Sequence, residues 1–90
     1  MLNDDILSLP MNPPDEKWQA RVKGILKAEL ARRHISYRDL ADRLGEIGVK
    51  DNERNISNKV NRGTFSAVFF LQCMEAIGVR AVYLDINGGY

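Results

Sequence analysis

An all-α domain of four to five short helices, compact and followed by one C-terminal β-strand tail, is the architecture this 90-residue chain predicts. Three observations predict it. Apolar residues recur at helical spacing through four separate stretches. Residues suited to helix starts and glycines suited to helix ends punctuate those stretches. Alternation with a period of two appears from Arg80 to Ile86, with Val82, Leu84 and Ile86 on one face and Ala81 and Tyr83 on the other.

Each element follows in order. Residues 1–13 read as a loose acidic tail whose Ile6, Leu7 and Leu9 could fold back onto the body. Residues 14–79 form the helical domain, and residues 80–90 a tail. Pro14 suits the first helical position, where a missing N–H costs nothing, and Asp15 and Glu16 suit the positive end of the helix dipole. Helix 1 then runs to about Arg33. Its apolar stripe is Trp18, Val22, Ile25, Leu26 and Leu30, and Gly24 offers room for close packing. His34 is read as a terminal residue at the negative helix end. Ser36 caps helix 2, with Asp39 completing a capping box; Tyr37, Leu40, Ala41, Leu44 and Ile47 face inward. Asp51 or Asn52 caps helix 3, which runs to about Arg62 and stops at Gly63. Ser66 caps helix 4. That helix carries Phe69, Phe70, Leu71, Cys73, Met74 and Ile77, apolar almost all round, and is expected to be the central core helix. The strand is alone in the chain, so its backbone groups need a partner. Pairing with the same strand of a second subunit supplies one, which makes a homodimer through residues 80–86 the expectation. Pairing with residues 4–9, or an extended tail lying on the helices, are the alternatives.

At 44% hydrophobic and 28% charged, the chain has an ordinary globular composition with one core. No apolar run approaches the roughly 18 residues of a membrane span. The acidic start lacks the basic region of a signal peptide, so a cytoplasmic location is expected. The lone Cys73 reads as a small core residue. Net charge is +1, but it is unevenly spread. Residues 1–16 carry −4. Residues 17–62 carry +6, from twelve Lys and Arg against six Asp and Glu. Residues 63–90 carry −1. A local basic field therefore surrounds helix 3.

Helix 3 is the unusual element. Its apolar spine is Ile56 and Val60; the rest is Arg54, Asn55, Ser57, Asn58, Lys59, Asn61 and Arg62. Arg, Asn, Ser and Lys are the side chains that hydrogen-bond base edges and phosphates. A helix-turn-helix that binds double-stranded DNA is the reading this composition supports. Local capping and turn chemistry is the plainer reading of the three asparagines.

The stretch Ser36-Tyr-Arg-Asp-Leu40-Ala41 with Leu44-Gly45 is similar to the first helix of the λ-repressor/Cro-type (XRE-like) helix-turn-helix family. Ile56-Ser57 through Gly63 resembles that family's recognition helix, and Ser66 through Ile77-Gly78-Val79 its next helix and close. The likeness covers residues 18–79. Two features depart from the pattern: Glu46 to Asp51 makes helix 2 longer or the turn wider, and Arg62 is an extra residue before Gly63. The order W-x-x-x-V-K-x-I-L-K-x-E-L with NRGTFS also looks like a group of short bacterial proteins without a settled role. The resemblance implies a bacterial transcriptional regulator with helix 3, about residues 52–62, in the major groove. Arg54 would then pair with guanine, and Asn55 or Asn58 with adenine. Ser57, Lys59, Asn61, Arg62 and Arg38 would hold backbone phosphates. On this expectation Arg54→Ala lowers sequence discrimination and Lys59→Ala weakens all DNA about equally.

A protein–protein adaptor using the same scaffold is the alternative, given the near-balanced charge. The acidic N-terminal tail, in either case, is a candidate cover for the basic face. An enzyme is not expected: one His and one Cys lie in different segments, and no Gly-rich phosphate loop or metal-ligand spacing appears. No cofactor and no metal are expected.

Overall fold

Side-chain caps and left-handed residues set the helix boundaries in the computed structural model, which describes residues 13–84. The helices are α1 (Pro13–Arg32), α2 (Tyr37–Glu46), α3 (Glu53–Arg62) and α4 (Ala67–Ile77). Ser36 begins α2 with a reciprocal box: its Oγ accepts from the Asp39 N–H at 3.0 Å, and Asp39 Oδ2 accepts from the Ser36 N–H at 3.2 Å. Asn52, not Asp51, caps α3, its Oδ1 accepting from the Asn55 N–H at 2.8 Å. Ser66 caps α4 through the Phe69 N–H.

Three helix ends share one hydrogen-bond pattern. Ile35, Val49 and Val79 donate back to the carbonyls of Leu30, Leu44 and Met74 at 2.9 Å. The residue before each donor, His34, Gly48 or Gly78, is left-handed. α3 ends instead at Gly63, φ 70°, whose N–H reaches the Lys59 and Val60 carbonyls. Here glycine is required for a second reason. A Cβ at Gly63 would stand 2.9 Å from the backbone oxygen of Gln19, so α1 and the end of α3 touch backbone to backbone.

α2 packs on α3 and α4, and α1 lies against α3 and α4. The core draws Leu26 and Leu30 from α1, Ile35 from the following link, Leu40 and Leu44 from α2, and Ile56 and Val60 from α3. Phe69, Cys73, Met74 and Ile77 come from α4. Burial of each large aliphatic side chain contributes roughly 1.5–3 kcal/mol.

Several expectations need correction. α1 begins at Pro13, one residue early. Trp18 does not join the core: it is 60% exposed, with the Arg21 guanidinium 4.5 Å from its ring centre. The helical stripe continues past the point where α3 and α4 cover it. Ile47 is exposed, and α4 is not enclosed all round, since Val68 and Leu71 stand 64% and 66% exposed. Among the described residues the C-terminal tail forms no strand. Val79 and Val82 pack against the core, and the Leu84 carbonyl accepts from Arg21 at 3.4 Å. Alternating apolar residues serve an extended segment lying on helices as well as they serve a strand. The expected roles of residues 1–12, including Ile6, Leu7 and Leu9, and of Ile86, lie outside the described residues. Among the described residues no helix is long and apolar enough to cross a membrane.

Gly24 is exposed, and a Cβ there would meet nothing within 4 Å, so it serves no close packing. Gly24→Ala should therefore stabilise the fold by about 0.5–1 kcal/mol. Gly63→Ala should destabilise it by at least about 1–2 kcal/mol, from the left-handed backbone alone. Thermal unfolding of the two variants should move in opposite directions, by several degrees each.

Candidate nucleic-acid interface

α3 is held to the body along one side. Ile56 and Val60 are fully buried, one helical turn apart. On the opposite side, residues 54, 58, 61 and 62 fall on one stripe at helical spacing. Arg54, Asn58, Asn61 and Arg62 are all exposed there. Arg54 makes no ion pair with the described residues. The Arg62 Nε–H donates to the Asn58 carbonyl at 3.3 Å, and Asn61 Nδ2 donates to Ser57 Oγ at 3.2 Å. These are exposed contacts within one helix, which a competing ligand can replace.

The remaining expected positions divide. Arg38 is exposed in the first turn of α2, close enough to Asp39 for its charge to stabilise that carboxylate. Ser57 is half-buried. Asn55 is exposed, with its side chain near enough to Asp51 to help lower that carboxyl. Lys59, expected to hold phosphate, is engaged within the fold: its Nζ lies 2.6 Å from Asp51 Oδ2 and 4.6 Å from the centre of the Phe69 ring. The Asp51 side chain is only 6% exposed. Burial pushes this carboxyl upward, yet hydrogen bonds from Lys59, the Asn52 N–H and Asn55 outweigh it and hold the group below its ordinary value. Sequence spacing cannot show that a turn carboxylate eight residues earlier captures this lysine.

Two contributors were not foreseen. Tyr37, expected in the core, is half-buried and lines a shallow hollow with Asn52, Glu53, Arg54, Ser57 and Asn58. Its position in the first turn of α2, beside Arg38, was the available signal. Lys23 of α1 donates to the Asn61 carbonyl at 2.8 Å, placing a cation at the negative end of α3. Three other cations of the basic segment are engaged elsewhere. Arg32 and Arg33 both pair with Glu29, and Arg21 lies over Trp18. The exposed cations of α3 itself are Arg54 and Arg62, with Lys23 at its C-terminal end.

Residues 18–82 match the family model described as a domain of unknown function, DUF6471. The chain belongs to this family. The DUF6471 match spans α2, α3, α4 and α1 from Trp18 onward, so the helix carrying the exposed polar stripe is part of the domain itself. No curated protein and no solved structure matches the chain. Among the described residues no three His, Cys, Asp or Glu side chains group as a metal site. Burial pushes the Cys73 thiol up to about 12, which keeps it protonated at neutral pH.

Asp51 and Asp39 both sit below the ordinary carboxylate value, Asp39 through hydrogen bonds from Ser36. Their contribution to stability is complete above the unfolded value of about 3.9 and is lost as pH falls through the folded values. Urea unfolding followed by circular dichroism should show a steep loss below about pH 4. Asp51→Asn should be less stable than wild type at neutral pH and should lose less on acidification.

Proposed function

We propose that this protein binds double-stranded DNA in a sequence-specific manner, with α3 as the reading helix of a λ-repressor-like helix-turn-helix. The observation that carries the reading is the outer stripe of α3. Arg54, Asn58, Asn61 and Arg62 project away from the core on a helix that buries two aliphatic side chains. Such a face gains little from folding. Its residue types suit a duplex: an arginine fork matches guanine O6 and N7, and an asparagine amide matches adenine N6 and N7. α2 precedes α3 and α4 packs behind α2, an order in which α3 projects while its neighbours supply backbone contacts.

Roles follow from position. Arg54 and Asn58 read base edges, with Asn55 a further candidate whose side chain lies near Asp51. Arg62, Asn61 and Arg38 meet phosphates, and Tyr37 and Ser57 border the same hollow. Transcriptional regulation is the activity this implies. A homodimer would let two reading helices span successive half-sites. Residues 80–86 are the segment that would mediate it. The adaptor alternative draws support from Glu53, which sets a carboxylate in the hollow beside Arg54 and would disfavour phosphate there.

The test is selection of a preferred duplex from a random pool, then binding of variants to the selected and to random sequence. Arg54→Ala should cost about tenfold or more on the selected duplex, at roughly 1–3 kcal/mol per bidentate contact, and little on random DNA. Arg62→Ala should weaken both alike and lower the salt slope by about one contact. Failure to enrich any sequence, with binding unaffected by either change, would favour the adaptor.

A further inference from the structure

Two buried side chains one turn apart define a line, and a helix held along a line can still roll about it. Ile56 and Val60 are that line for α3. Three other contacts lie off it. At the C-terminal end, Lys23 reaches the Asn61 carbonyl and Gly63 meets the Gln19 backbone. The third is the Asp51–Lys59 pair. Lys59 stands roughly a quarter turn from the apolar line, at 3.6 residues per turn. Its stem runs back toward the α2–α3 turn to meet Asp51, and its ammonium lies against Phe69 of α4. Cys73 of α4 also feels both charges. One lysine therefore joins the turn, the reading helix and the helix behind it.

We infer that Lys59 acts in DNA recognition as a positioning residue: with Asp51 and Phe69 it fixes the roll of α3, and so the aim of Arg54 and Asn58. It is not a phosphate contact. The inference rests on the DNA-binding reading and assigns the lysine a role opposite to the one its charge suggests. The reasons are geometric. The pair spans two elements and leans on a third. Asp51 is nearly buried, so withdrawing Lys59 toward a phosphate would strand a carboxylate with less than its full set of donors. A roll of α3 shifts the base-reading groups laterally and leaves the total positive charge unchanged. The effect must then appear in discrimination, not in general affinity for phosphate.

The two roles give opposite expectations for Asp51→Asn. That change makes the protein more positive and releases Lys59. If Lys59 were a phosphate contact, binding to every duplex would tighten. As a positioning partner, its release should lower the preference for the selected duplex over random duplex by about tenfold, the scale of one well-aimed base contact. The slope of log affinity against log salt should stay at the wild-type value. Lys59→Met, which keeps a stem near Phe69 and removes the charge, should do the same; a phosphate contact would instead lose about 0.9 from the slope. The double variant Asp51→Asn/Lys59→Met strands no charge and covers the case in which a single variant unfolds. It too should show lowered preference at unchanged slope. Preserved preference in the folded variants, or tighter binding by Asp51→Asn, overturns this inference alone. A wild-type protein that binds no duplex at about 50 mM salt, where such contacts are strong, overturns the DNA reading and this inference with it.

Discussion

The burial of Ile56 and Val60 is the constraint on which the rest depends. It is what fastens α3 to the body while leaving most of that helix outside the core. With so narrow an apolar seam, α3 needs supplementary contacts to hold one orientation. The molecule provides them at both ends, through Asp51–Lys59 near the turn and through Lys23 and the Gln19–Gly63 approach at the far end. Both sets use polar or backbone groups, because the apolar surface of α3 is already spent on the core. What remains facing outward is a row of arginine and asparagine.

This division explains why the basic segment is less basic in effect than its composition. Arg32 and Arg33 are paired with Glu29, Lys59 with Asp51, and Lys23 with the carbonyl end of α3. Exposed surface pairs contribute little to stability. The Asp51–Lys59 pair is different, since its carboxylate is shielded and its lysine reaches three elements. Charge that appears on paper as a field for phosphate is in part structural, and the candidate interface narrows to Arg54, Asn58, Asn61 and Arg62, with Arg38 on the flank.

Much of the helical framework was legible in the sequence because local chemistry writes it. Ser36 with Asp39, Asn52, Gly63, Ser66 and Gly78 mark boundaries through hydrogen bonds spanning three or four residues. Properties set by distant neighbours were not legible. Trp18 lies on the expected face of α1 but beyond the reach of the helices that cover it. Val68 and Leu71 lie on an apolar helix whose outer side meets nothing among the described residues that buries them. The alternation from Arg80 to Ile86 fits a strand and an extended segment equally, and among the described residues Val82 packs on the core. Within the candidate site, exposure of Arg54 and Asn58 followed from spacing. The inward turn of Lys59 did not, because it depends on where the preceding turn places Asp51.

The central claim is that the outer stripe of α3 meets duplex DNA. Its most direct test is a titration of isotopically labelled protein with a short duplex, followed through backbone and side-chain amide resonances. The account predicts that shifts concentrate at Arg54, Asn58, Asn61 and Arg62, extend to Tyr37 and Arg38, and fade as salt is raised. Shifts confined to the exposed apolar residues Trp18, Val68 and Leu71, or none on α3 at low salt, would contradict it.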